Sequence, residues 1–150
     1  MAVKIEGATL RSLDELYLIE QQSFNEEAFS KEQICYLLTD YNSIGLVAKV
    51  DNEIAGFIIG RFDLVRNCLT GHIMTIDVGA KFRRQGIAQR LMIEIETIFR
   101  QKGVKEIRLE VREGNVGAIA LYGKIGFKKI SKLDHYYGEA HGFYFRKVLS

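Results

Sequence analysis

Proline is absent from this 150-residue chain, and no repeat or low-complexity tract stands in for it as a linker. A single domain over residues 1–150 is expected. Cysteine occurs only twice, as Cys35 and Cys68, with neither CxxC spacing nor a His/Cys ligand pattern. That excludes a disulfide framework and a zinc module, and no metal site is expected. A large excess of one sign of charge is lacking: 21 Lys and Arg against 19 Asp and Glu leave a net charge of +2. A disordered tail and a strong polyanion binder are both excluded, and no direct contact with nucleic acid is expected. Long apolar runs are missing too, since none reaches the roughly 20 residues needed to cross a bilayer. The opening MAVKIEGATL has no basic segment leading into an apolar one. A soluble, cytoplasmic protein without membrane contact is expected.

What is present is 47% hydrophobic composition, enough for a chain of this size to bury about two-thirds of its unfolded surface. Residues Val3 to Thr9 read as a strand, and Leu13, Leu16, Ile19 and Phe24 follow near helical spacing. Ser30 and Gln33 form a capping box for a second helix. The β-rich runs Gly45 to Val50 and Ile54 to Phe62, split by Asp51, Asn52 and Glu53, predict a hairpin. A third strand is expected over Gly71 to Val78. From about Gln85 to Lys102, Ile87, Leu91, Ile95, Ile98 and Phe99 share one helical face that ends at Gly103. Glu106 to Val111 alternates polar and apolar residues as a strand does. A helix over about Val116 to Ile125 stops at Gly126, and strands near Phe127 to Leu133 and Gly142 to Val148 bracket a loop with Tyr136, Tyr137 and Gly138. Strand, two helices, three strands, helix, strand, helix, two strands describes a mixed α/β sheet covered by helices.

Where the third strand hands over to the long helix stands Arg83-Arg84-Gln85-Gly86-Ile87-Ala88. Small residues there let a ligand approach the backbone, and free amides at a helix N-terminus favour anions. Pyrophosphate suits the site. The pattern is neither G-x-G-x-x-G nor a P-loop, so nicotinamide dinucleotides and nucleoside triphosphates lack their signatures. A tight turn with solvated arginines is the alternative reading of the hexapeptide alone.

The hexapeptide matches the R/Q-x-x-G-x-G/A signature of GNAT-superfamily N-acetyltransferases. Downstream, Leu109-Glu110-Val111-Arg112 through Asn115, Ala118-Ile119, Leu121-Tyr122 and Gly126-Phe127 resembles the L-E-V-R-x-x-N-x-x-A-I-x-L-Y-x-x-x-G-F block of RimI-type and archaeal enzymes that acetylate protein N-termini. The resemblance is dense from His72 to Tyr137 and thin over the first 40 residues. It implies the GNAT fold, a mostly antiparallel mixed sheet of about seven strands with four helices in the order β1-α1-α2-β2-β3-β4-α3-β5-α4-β6-β7.

It also implies acetyl-CoA as cofactor. The backbone of Ile76, Asp77 and Val78 would pair with the pantetheine arm as an added strand, and the pyrophosphate would lie on Arg83, Arg84, Gln85, Gly86, Ile87, Ala88 and Gln89. Asn115 would touch the pantetheine, or serve only as a helix cap. Tyr122 would protonate the leaving thiolate, or simply pack against the sheet. Glu110 and His72 are two candidate bases, each also readable as an ordinary strand residue.

The peptide N-terminus would enter between Phe24, Asn25, Glu26 and Glu27 on one side and Tyr136 and Tyr137 on the other. Phe24 to Ser30 lacks the prolines and tryptophan of the F-P-x-P-W-S segment common in RimI-like enzymes. The expected partner is a protein or peptide N-terminus, on a ribosomal protein or nascent chain, served by a monomer or weak homodimer. Two alternatives stay open, acetylation of lysine or a small amine such as a polyamine, and non-catalytic acyl-CoA binding.

Overall fold

The tight turns and helix caps fall where local chemistry puts them. In the computed structural model, which describes residues 2–24 and 27–149, the strands are β1 (Val3–Gly7), β2 (Ser43–Val50), β3 (Glu53–Val65), β4 (Cys68–Val78), β5 (Glu106–Arg112), β6 (Lys128–Tyr137) and β7 (Ala140–Val148). The helices are α1 (Leu13–Phe24), α2 (Lys31–Thr39), α3 (Ile87–Gln101) and α4 (Val116–Lys124). Asp51 and Asn52, both at positive φ, turn β2 into β3, and Arg66 and Asn67 do the same between β3 and β4. Ser30 and Gln33 make the reciprocal capping box at 3.1 and 2.8 Å.

One sheet of seven strands runs in the order β1-β2-β3-β4-β5-β7-β6. This is the expected mixed α/β architecture. β4 and β5 pair in parallel over Thr70–His72 and Glu106–Arg108, and Ile73–Val78 run on beyond that ladder. β5 then pairs antiparallel with β7, from Glu106↔Val148 to Arg112↔Gly142.

The chain divides into two compact units, Met1–Arg61 with Met74–Ile98, and Phe62–Ile73 with Phe99–Ser150. In the first, Leu16, Ile34 and Leu37 pack with Val47, Ile54, Phe57 and Ile59. Ile87, Leu91 and Ile95 of the α3 stripe are buried, Ile98 is half-buried, and Met92 beside them is buried too. In the second, Phe99 meets Phe62 edge-on at 5.2 Å, and Gly71 stands so near Phe99 that an added Cβ would lie 2.8 Å from the ring. Ile107, Leu109 and Val111 are buried, leaving Glu106, Arg108 and Glu110 on the polar face. No helix among the described residues is long and apolar enough to cross a membrane.

The ends of the elements depart from the sequence reading. β1 stops at Gly7, before Thr9, while β3 extends to Val65 and β4 starts at Cys68, both longer than expected. The tight Arg66–Asn67 turn lets both strands continue to it. Tyr136 and Tyr137 are not in a loop. They belong to β6, whose register shifts between Leu133 and Tyr137 before Tyr137 pairs with Ala140. That irregularity, with His135 at φ 54°, breaks the alternation that would have marked the strand.

Candidate active site

The glycine-rich turn lies in the first unit. Arg84 and Gly86 adopt φ of 63° and 77°, and α3 starts at Ile87. A left-handed residue in a turn ahead of a helix aims successive amides into one concavity. The first helical bond is Arg90 N–H to Gly86 O, at 3.1 Å, so the amides of Ile87, Ala88 and Gln89 have no carbonyl within the helix to bond. A Cβ on Gly86 would meet nothing within 4 Å, so the position needs glycine for its backbone angle and leaves open space above. Arg83 Nε donates to Val78 O at 3.3 Å, joining the turn to the end of β4. Open space, first-turn amides and exposed arginines fit a pyrophosphate.

The second unit holds the proton-transfer candidates. His72 and Arg108 are register partners across the parallel ladder, and Glu110 is one polar-face position further along β5. His72 Nε2 and Glu110 Oε1 lie 2.6 Å apart, with the side chains 18% and 19% exposed. The polar face of β5 is paired along its length, because Arg108 meets Asp63 at 2.8 Å and Glu106 meets Arg146 at 3.4 Å. Tyr136 is also drawn in. Burial raises its phenol pKa first, the Glu110 carboxylate raises it further, and Arg108 opposes both. Its ring meets Tyr137 edge-on at 4.9 Å.

Tyr122 is buried in α4, its ring 6.0 Å from Phe127 and 6.1 Å from Phe145. Asn115 caps α4, its Oδ1 accepting from Ala118 N–H at 3.2 Å. The packing and capping roles are therefore present in the fold. Ile76, Asp77 and Val78 lie in the part of β4 beyond the ladder with β5. On the peptide side, Phe24 ends α1 and Glu27 follows, both half-buried, whereas Asn25 and Glu26 fall outside the described residues.

Sequence reasoning passed over Glu20 and Thr75. Both are buried, and Thr75 Oγ1 donates to Glu20 Oε1 at 2.7 Å. The signal was there: Glu20 follows Leu16 by one helical step, a charged residue on an apolar stripe.

Comparison with known proteins agrees with the two motifs. The profile of the acetyltransferase (GNAT) family matches residues 10–127. The chain is 31% identical to the N-alpha-acetyltransferase of Sulfurisphaera tokodaii over 94% of this chain and 89% of that one. Its fold is similar to that of the ribosomal-protein-S18-alanine N-acetyltransferase from Escherichia coli, with a TM-score of 0.86 at 22% identity over 99% of this chain and 95% of the other. A structure of the NatC complex bound to Gag peptide and CoA contains a chain with a TM-score of 0.90 at 23% identity, each chain covered in full. Because that profile runs through the glycine-rich turn, the His72–Glu110 pair and the block from Asn115 to Phe127, the chain belongs to the acetyltransferase (GNAT) family.

Proposed function

We propose that this acetyltransferase moves the acetyl group of acetyl-CoA onto the α-amino group of protein N-termini, on ribosomal proteins or nascent chains, by direct attack within a ternary complex. The observation that carries the reading is the 2.6 Å contact between His72 Nε2 and Glu110 Oε1. An α-amino group with a pKa of about 7.7–8.0 is largely protonated at neutral pH and must lose that proton to attack. With Glu110 ionised, Nε2 carries the hydrogen and Nδ1 is left as the acceptor. A proton taken there produces an imidazolium that Glu110 already faces, and the pair works as one base. The names of the relative in Sulfurisphaera tokodaii and of the Escherichia coli enzyme support an N-terminal amine as substrate.

Acetyl-CoA supplies an activated thioester whose departing sulfur needs a proton. The hydroxyl of Tyr122, a buried residue, is assigned to donate it. Arg84 and the amides from Gly86 to Gln89 hold the pyrophosphate, Arg83 adds charge there, and the backbone of Ile76 to Val78 binds the pantetheine arm as an added strand. Asn115, its Oδ1 capping α4, offers its amide to the same arm. Phe24 and Glu27 of the first unit, and Tyr136 and Tyr137 of the second, are the residues assigned to the peptide.

Peptides with free or blocked N-termini, a lysine-bearing peptide and a polyamine, each incubated with acetyl-CoA, test this. Mass spectrometry should place the acetyl group on the free α-amine. Acetate found only on lysine or the polyamine rejects the substrate. Binding of acetyl-CoA without thiol release in the presence of any amine rejects catalysis altogether.

A further inference from the structure

The most buried carboxyl groups of the first unit take no part in that chemistry. Glu20 of α1 is 1% exposed and Asp77 of β4 is 2% exposed, with Thr75 close to both. A buried glutamate is tolerated only where its oxygens are bonded. Here Oε1 accepts from the Thr75 hydroxyl at 2.7 Å and Oε2 accepts from the Phe29 amide at 3.0 Å. Thr75 Oγ1 also lies 3.3 Å from Asp77 Oδ1, while Asp77 Oδ2 is buried with no hydrogen-bonding partner.

Both ends of this network fall on segments already assigned a task. Phe29 sits in the connection between α1 and α2, which also holds Glu27 and begins after Phe24. Thr75 and Asp77 flank Ile76, in the stretch of β4 assigned to the pantetheine arm. We propose that Glu20 is a positioning residue that ties the peptide-side connection after α1 to the cofactor-side end of β4, through Phe29 N–H on one oxygen and the Thr75 hydroxyl on the other. The inference rests on the assignment of those two segments to peptide and acetyl-CoA.

A hydroxyl has one hydrogen. That hydrogen goes to Glu20 at 2.7 Å ahead of Asp77 at 3.3 Å, so the hydroxyl serves the tether first. Burial pushes the Asp77 pKa well above the usual carboxylate range, and the neighbouring Glu20 carboxyl pushes it the same way. Thr75 on the same strand and Arg83 from the turn before α3 act in opposition.

Three variants test the tether. Thr75→Val removes the hydroxyl at similar volume, Thr75→Ser restores it, and Glu20→Gln turns one of two acceptors into a donor. KM for peptide and for acetyl-CoA, kcat, and hydrogen exchange at the Phe29 amide are measured on each full-length protein. Thr75→Val and Glu20→Gln should raise the peptide KM about tenfold, the scale of one lost hydrogen bond to a charged group. Exchange at Phe29 should accelerate in Glu20→Gln by about tenfold or more, and Thr75→Ser should return peptide KM to within about twofold of the parent. A folded Glu20→Gln protein with unchanged peptide KM and a protected Phe29 amide overturns the proposal. So does a loss of thermal stability that leaves KM untouched. Exchange is read without substrate, so failure of the parent to acetylate any peptide would count against the assigned function, whereas a protected Phe29 amide in Glu20→Gln would count against the tether.

Discussion

The short contact between His72 and Glu110 joins two residues 38 positions apart, and the proposed mechanism gives them the proton transfer together. Each alone is weaker: without Glu110 the imidazole loses the group that fixes its tautomer, and without His72 the carboxylate loses its ring. His72→Ala and Glu110→Ala should each lower kcat by about 10²-fold, within the range for a lost general base. The double variant should then cost no more than about threefold beyond the worse single one, because the two act as a unit. Fully additive losses, read by steady-state kinetics, would make them independent. Tyr122 invites a different experiment. Its ring is held near Phe127 and Phe145, so Tyr122→Phe keeps the packing and removes only the hydroxyl. Turnover should fall about 10²-fold with little change in the affinity for acetyl-CoA, measured by calorimetry. The candidates themselves were legible as residue types within motifs. Their pairing was not, since it depends on the parallel register that sets His72 opposite Arg108, one polar position before Glu110.

Strand β4 carries a pH dependence of its own. Below the ordinary aspartate pKa of about 3.9, Asp77 is protonated in both the folded and the unfolded chain. Above it the unfolded chain releases this proton while the folded one keeps it, because the buried Asp77 pKa is raised. The stabilising contribution is therefore complete at low pH and is lost as pH rises through the folded value. Thermal melts of the parent and of Asp77→Asn across this window should show the parent losing stability with pH relative to the variant, and parallel curves would refute the raised pKa. Most elements could be read in advance where local chemistry decides them: the Ser30–Gln33 box, the Asp51–Asn52 turn and the α3 stripe need only neighbours in sequence. The second half of β6 could not. Its tyrosines follow a positive-φ histidine and a register shift, and only pairing with β7 makes that stretch a strand. Glu20 showed in the sequence as a charge on the α1 stripe, but its partners Thr75 and Phe29, 55 and 9 positions away, did not.

At the scale of the whole molecule, the assignment of acetyl-CoA becomes a statement about stability. Any ligand held by the native chain and not by the unfolded one stabilises the fold by mass action, about 2.7 kcal/mol at a hundred times its Kd. For a chain of this length that corresponds to a rise in Tm of roughly 5–10 °C. In the proposed function the first-turn amides of α3 and the left-handed Gly86 grip the polar end of such a ligand. Two controls separate this grip from general binding. Pantetheine, which lacks the pyrophosphate, should shift Tm far less than coenzyme A at the same concentration. Gly86→Val forces a β-branched side chain to φ 77°, where backbone strain costs about 1–3 kcal/mol, and it intrudes on the space above the turn. The variant should lose both baseline Tm and most of the shift produced by coenzyme A. If pantetheine and coenzyme A stabilise the parent equally, the turn does not hold phosphate and the anion-binding assignment of residues 83–89 fails. If Gly86→Val keeps the full coenzyme A shift from a lowered baseline, the glycine serves the turn alone and the phosphates bind elsewhere.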